Sequence, residues 1–230
     1  GGGKTYFLLT LIEALLHTNA VLYILDPKNS DLADLGTVMP NVYHTKEEMI
    51  DCVNAFYEGM VRRSEEMKRH PNYKTGENYA YLGLPPCFLI FDEYVAFFEM
   101  LGTKESVGLL SQLKKIVMLG RQAGYFLIVA CQRPDAKYFS DGIRDNFNFR
   151  VGLGRISELG YGMLFGSDVK KQFFQKRIKG RGYCDMGTSV ISEFYTPLVP
   201  KGHDFLQTIG RLAQERQVMP EQQGKEDVIE

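Results

Sequence analysis

Two short segments carry side chains able to do chemistry on a phosphate. The chain opens Gly1-Gly2-Gly3-Lys4-Thr5, and further on an apolar run, Cys87-Phe88-Leu89-Ile90-Phe91, stops on Asp92-Glu93-Tyr94. The opening pentapeptide matches the end of the pattern G-x-x-x-x-G-K-(S/T). In that loop backbone N–H groups cradle phosphates, the Lys reaches the β and γ phosphates, and the hydroxyl ligates Mg2+. Gly1, Gly2 and Gly3 are thus the candidate cradle, Lys4 the candidate phosphate ligand and Thr5 a candidate metal ligand. A buried strand ending on Asp-Glu supplies what such a loop lacks: Asp92 as metal carboxylate, and Glu93 to orient or deprotonate an attacking water.

Each half has a plain alternative. A Gly-rich start followed by Lys-Thr could be a tag remnant or flexible terminus, and an apolar core strand often meets a polar loop at Asp-Glu. Against the first, residues 6–16 (Tyr-Phe-Leu-Leu-Thr-Leu-Ile-Glu-Ala-Leu-Leu) continue at once as a largely apolar helix, the context a phosphate loop requires. The loop's first three positions and the strand before them are not in the sequence. The chain therefore reads as the remainder of a longer polypeptide, with nucleotide affinity expected to be compromised in this form.

The elements that must position these groups alternate strand and helix, which argues a mainly parallel sheet with helices on both faces. Ala20 to Leu25 is a short β-type run halted by Asp26-Pro27-Lys28, where Pro forces the chain out of the strand. A short strand at 42–44 leads to a helical pattern from about 46 to 69, apolar at Met49, Val53, Phe56, Met60 and Met67 and basic at its far end: Arg62, Arg63, Lys68, Arg69. A Pro- and Gly-rich loop over 71–86 enters the Asp-Glu strand. A helix over about 106–122 precedes the most strand-like run, 125–131, which ends on Gln132-Arg133-Pro134. Further expectations are a strand at 147–153, short helices at 157–163 and 167–175, a hairpin over 180–197 turning at Gly187-Thr188, and an amphipathic helix from about 204 to 217. Residues 1–217 read as one domain and 218–230 as a polar, disordered tail.

Composition bounds the reading without deciding it. With 230 residues there is room for one full α/β core, and 44% hydrophobic with 24% charged residues is ordinary for a globular protein. A net charge of −1 requires any nucleic-acid surface to be local, a loop or pore lining rather than a whole face. Cys52, Cys87, Cys131 and Cys184 are widely spaced with no C-x-x-C pair, as expected of buried thiols in a reducing cytoplasm. No apolar run approaches the ~20 residues of a membrane span, and no signal peptide is visible.

Taken in order, these motifs resemble the FtsK/SpoIIIE family of DNA-pumping ATPases within the FtsK–HerA superfamily. The resemblance covers nearly the whole chain and rests on Gly3-Lys4-Thr5, Asp26-Pro27-Lys28, Ile90-Phe91-Asp92-Glu93, Gly120-Arg121-Gln122-Ala123-Gly124 and Leu127-Ile128-Val129-Ala130-Cys131-Gln132-Arg133-Pro134, the last being the most specific. Position 131 is Cys where chromosome-segregation members usually carry Thr. No winged-helix domain follows and no membrane-spanning segment precedes, a profile more similar to the coupling or transfer ATPases of integrative conjugative elements than to a cell-division translocase.

The resemblance implies a RecA-like P-loop fold, α/β with a mainly parallel central sheet, a C-terminal β-hairpin and a helix. It further implies a hexameric ring that binds ATP and Mg2+ between subunits and moves DNA. Gln132 would sense the γ-phosphate or position the water; otherwise it is a polar residue capping a turn. Arg121 would be the arginine finger reaching the neighbouring subunit; otherwise it is a solvated Arg at a helix C-terminus, where positive charge is favourable. Asp26 and Lys28 would face the site, although a Pro turn explains them nearly as well. The basic helix end and the Lys170, Lys171, Lys176, Arg177, Lys179, Arg181 cluster are the DNA-contact candidates, set against solvated faces. A cytoplasmic domain follows from this, tethered through a membrane-anchored N-terminal region, with relaxosome or secretion-channel partners. Two rival functions stand beside it: a type VII secretion-like protein-export ATPase, and a non-hydrolysing scaffold domain.

Overall fold

Four short strands send alternate side chains to opposite sides of a sheet, and each side is covered by helices. The computed structural model describes residues 2–223 apart from 136, 140, 170, 175–177 and 189, with backbone alone at 141, 142 and 218–223. Its elements in chain order are α1 (Lys4–Leu16), β1 (Val21–Leu25), β2 (Val42–Tyr43), α2 (Lys46–Arg69), β3 (Cys87–Phe91), α3 (Tyr94–Glu99), α4 (Thr103–Ala123), β4 (Tyr125–Val129), α5 (Asp141–Arg144), β5 (Arg150–Leu153), α6 (Glu158–Phe165), β6 (Arg181–Asp185), β7 (Ile191–Tyr195) and α7 (Phe205–Gln223).

Strands β2, β1, β3 and β4 lie in that order as a parallel sheet. On one face Leu25, Leu89 and Phe91 pack with Met49, Val53, Phe56 and Met60 of α2 and with Leu113 and Ile116 of α4. On the other, Leu22, Ile24 and Ile90 pack with Ile12 of α1 and Ile209 and Leu212 of α7. All five apolar residues expected along α2 are buried. That helix starts at a capping box, where the Thr45 hydroxyl accepts from the Glu48 amide and the Glu48 carboxylate accepts from the Thr45 amide. The fold is thus the expected α/β arrangement with a parallel central sheet flanked by helices.

The second half differs in detail from expectation. The expected strand at 147–153 shortens to β5, and it joins the hairpin of β6 and β7 in a separate antiparallel sheet of order β5-β6-β7. The helix expected at 167–175 is not found among the described residues. Its apolar side chains serve tertiary contacts instead: Phe173 stacks on Tyr161 at 4.1 Å and 9°, while the Phe174 amide donates to the Tyr183 hydroxyl. Helix α7 extends to Gln223, six residues past the expected end, and 224–230 of the expected tail lie outside the described residues. Among the described residues no helix is long and apolar enough to cross a membrane. All four cysteines are free, three of them buried.

Candidate active site

The parallel strands β1, β3 and β4 end level, with Leu25 paired to Phe91 and Phe91 to Val129. The residues that follow them, Asp26 to Lys28, Asp92-Glu93 and Gln132, therefore emerge along one edge of the sheet, where parallel α/β folds bind ligands. Helix α1 brings Lys4 to that edge. Its Nζ donates to Asp92 Oδ1 at 2.9 Å and also to Glu93 Oε1. The amino-terminal glycine-lysine segment and the acidic pair are thus in direct contact.

Two features of the opening segment suit it to an anion. Gly3 is the N-cap of α1 with φ of 95°, a left-handed conformation that glycine adopts without strain. No side chain caps α1 and no acid lies in its first turn, which leaves its N-terminal N–H groups and dipole for a negative ligand. Gly2 is wedged against the antiparallel sheet: a Cβ there would lie 2.6 Å from the Leu153 carbonyl oxygen, and its own carbonyl accepts from the Gly180 amide at 2.9 Å. Gly1 lies outside the described residues.

The acidic pair is held under strain. Glu93 has φ 55° and ψ 51°, a left-handed conformation that costs an L-residue with a Cβ roughly 1–2 kcal/mol. It is tolerated because the flanking backbone is fixed, Asp92 N to Leu25 O and Tyr94 N to Ala130 O. Asp92 and Glu93 are both buried. Burial works to raise the Glu93 pKa, but Lys4 and then Lys28 hold it below the usual carboxylate range. At Asp92 burial wins over the Lys4 contact and the pKa rises. Burial alone would lower the Lys4 value, yet its two carboxylate partners outweigh it.

Chemically the donor set fits a Mg2+ nucleotide. Among the described residues the hydrogen bonds that Asp92 accepts, from Lys4 and from the Glu93 amide, both fall on Oδ1, so Oδ2 is the oxygen that could serve a cation. Among the described residues no group of three or more His, Cys, Asp or Glu could hold a metal unaided. Mg2+ takes one or two protein oxygens and completes its shell from phosphates and water, a demand that Thr5 Oγ1 and Asp92 would meet.

Residues flagged from the sequence divide here. Asp26 turns out to be structural: fully buried, it accepts from the amides of Lys28, Ser30 and Ala33 and from the Ser30 hydroxyl, pinning the turn after β1. Lys28 instead reaches into the site, its Nζ 3.4 Å from Glu93 Oε2. Gln132 is exposed beyond the end of β4 and lines, with Lys4, Thr5 and Glu93, a cavity of about 1730 Å3. Arg121 also lines that cavity. It precedes β4 as Gln132 follows it, so a five-residue strand, roughly 16 Å, lies between them. Arg121 is exposed and stands at the opposite end of β4 from the edge that carries the site. Cys131 is two residues past β4, and burial pushes its thiol up to about 11, so it stays protonated.

The basic end of α2 also needs correction. Arg63 is not a free charge: its guanidinium donates to the carbonyls of Pro85 at 2.7 Å and Ala123 at 3.2 Å and lies 4.8 Å over the Tyr125 ring. It joins α2 to the loop before β3 and the turn after α4. Arg62, Lys68 and Arg69 remain exposed. Arg63→Ala is expected to lower the unfolding free energy by about 2 kcal/mol, read as a fall in urea midpoint. An unchanged midpoint with weakened DNA binding would return it to the DNA candidates. In the second basic cluster Lys170, Lys176 and Arg177 lie outside the described residues, Lys171 donates to the Ile191 carbonyl, Arg181 lies over the Tyr195 ring and Lys179 is exposed.

No protein-family model matches the chain. It is 57% identical over 210 residues, 91% of its length, to the FtsK domain-containing protein YdcQ of Bacillus subtilis, of which those residues are 44%. The chain therefore spans less than half of that relative. It is 25% identical over 217 residues to the ESX secretion system protein YukB of the same organism, covering 85% of this chain and 14% of that one. Among solved structures, the conjugation coupling protein TcpA of pCW3, in monomer form with ATPgS, superposes with a TM-score of 0.74 at 18% identity, covering 94% of this chain and 62% of that chain. That likeness speaks to fold, and the fold is the P-loop one expected from the motifs. With 57% identity across most of its residues, the chain belongs to the FtsK-domain family.

Proposed function

We propose that residues 1–217 form an FtsK-type motor that hydrolyses Mg2+-bound ATP at sites shared between subunits of a ring, a hexamer, and uses the turnover to pump DNA, in conjugative transfer. The observation that carries this reading is the Lys4 contact with both Asp92 and Glu93 at the level ends of β1 and β3. The glycines and the N-terminus of α1 receive the phosphates. Lys4 leaves its carboxylates for the β and γ phosphates. Thr5 Oγ1 and Asp92 would hold Mg2+, which would supply charge to offset that of the phosphates. Glu93 takes the proton of the attacking water, and Gln132 holds that water or the γ-phosphate in line. Arg121, at the opposite end of β4 from the edge that carries the site, would meet the transition-state charge in the next subunit.

The fold shared with TcpA, a conjugation coupling protein, favours conjugative transfer and hence DNA as the cargo. YukB, a secretion-system relative, favours the second reading, export of a polypeptide by the same machinery. One experiment separates them. The ATPase rate of the protein at its native length is measured with and without DNA at two protein concentrations, with sedimentation alongside. The first reading expects specific activity that rises with concentration and with DNA. An assembled ring indifferent to DNA would support export instead. Activity independent of concentration in a monomer would remove Arg121 from the site.

A further inference from the structure

The two carboxylate oxygens of Glu93 are divided between two ammonium groups. Lys4 takes Oε1, and Lys28, from the turn after β1, stands 3.4 Å from Oε2. Lys4 is the one that an incoming triphosphate competes for. Lys28 is differently placed: its backbone is anchored, since the Lys28 amide donates to Asp26 Oδ1 and the Asn29 amide to the Asp26 carbonyl, with the fully buried Asp26 carboxylate also holding Ser30 and Ala33. Because β1 pairs with β3 along its whole length, that turn stands directly beside the acidic pair. The Lys28 side chain is 44% exposed, so it reaches Glu93 from the solvent side with no other ion pair among the described residues.

We propose that Lys28 is a positioning residue for hydrolysis, fixing Glu93 by Oε2 so that Oε1 is the oxygen left to accept the proton of water once Lys4 has turned to the phosphates. This rests on the hydrolysis reading above. Among the described residues this carboxylate, on a strained left-handed backbone, has no charged partner besides Lys28 once Lys4 has left, and a freely rotating carboxylate would present the wrong oxygen or the wrong angle. Misplacement of a reacting group by about 1 Å is enough to cost on the order of a hundredfold in rate. Lys28 touches neither water nor phosphate in this scheme.

The test is steady-state ATPase on the native-length protein carrying Lys28→Met, Lys28→Arg, Glu93→Gln, and Lys28→Met with Glu93→Gln. Lys28→Met is expected to lower kcat on the order of tenfold with KM for ATP little changed, and Lys28→Arg to recover most of the loss. In the Glu93→Gln background Lys28→Met should add little, because the group it positions is already gone. An unchanged kcat, a KM increase at constant kcat as for a phosphate contact, or a full additive loss in the double variant would each overturn the proposal while hydrolysis itself stands. A native-length protein with no ATPase activity, assembled and with DNA present, would overturn the hydrolysis reading and this one with it.

Discussion

Glu93→Gln is expected to give a protein that still binds ATP but turns it over at least about a hundredfold more slowly, the scale set by loss of a general base. The substitution changes one charge and little else. The amide is nearly isosteric, the left-handed backbone at φ 55° is no harder for Gln than for Glu, and the flanking hydrogen bonds to Leu25 and Ala130 are main-chain. Lys4 keeps Asp92 as partner at 2.9 Å, so the site stays assembled. With a weaker hold on its second partner, Lys4 leaves for the phosphates more readily, so nucleotide affinity should hold or tighten. Nucleotide binding and single-turnover hydrolysis measured separately distinguish the two effects. Turnover within about fivefold of the unsubstituted protein would remove Glu93 from proton transfer.

Lys4→Ala should abolish measurable nucleotide binding in the native-length protein. Lys4 is the cation of the phosphate cradle, and its contact with both carboxylates also offsets the repulsion between the like charges of Asp92 and Glu93. Removing it leaves Asp92, buried, with no cationic partner among the described residues, a situation that typically costs roughly 3 kcal/mol. A drop in unfolding midpoint should therefore accompany the loss of binding. The measurement is equilibrium titration with a fluorescent ATP analogue on protein shown to unfold cooperatively, so that lost affinity is not mistaken for lost structure. Retained affinity in a folded variant would mean that the opening residues are not a phosphate loop.

How far the sequence announced this arrangement depends on the range of each interaction. Strands β1, β3 and β4 and helices α1, α2 and α4 were readable because their signals are local: β-branched and aromatic runs ended by Pro or Asp, and apolar residues at helical spacing. The meeting of Lys4 with the acidic pair was inferable from motif chemistry. The separation of Asp26 from Lys28 was not, since both occupy one tripeptide and only the fold decides which side chain turns inward. Arg63 looked like its basic neighbours, yet it alone faces the Pro85 and Ala123 carbonyls, contacts set 22 and 60 residues away. The close approach of Gly2 to Leu153 and Gly180 is equally non-local. Of the helix expected at 167–175 none is found among the described residues, where Phe173 stacks on Tyr161 instead, a tertiary override of local preference.

The level ending of β1, β3 and β4 makes the sheet a ruler for the chemistry. Adjacent strands stand about 4.8 Å apart, so the spacing between the turn bearing Lys28, the acidic pair and the approach to Gln132 is set by main-chain ladders. Loops elsewhere can lengthen or change composition without altering that spacing. A slip of one residue between β1 and β3 would instead exchange the faces of every side chain in the strand and carry Asp92 out of reach of Lys4.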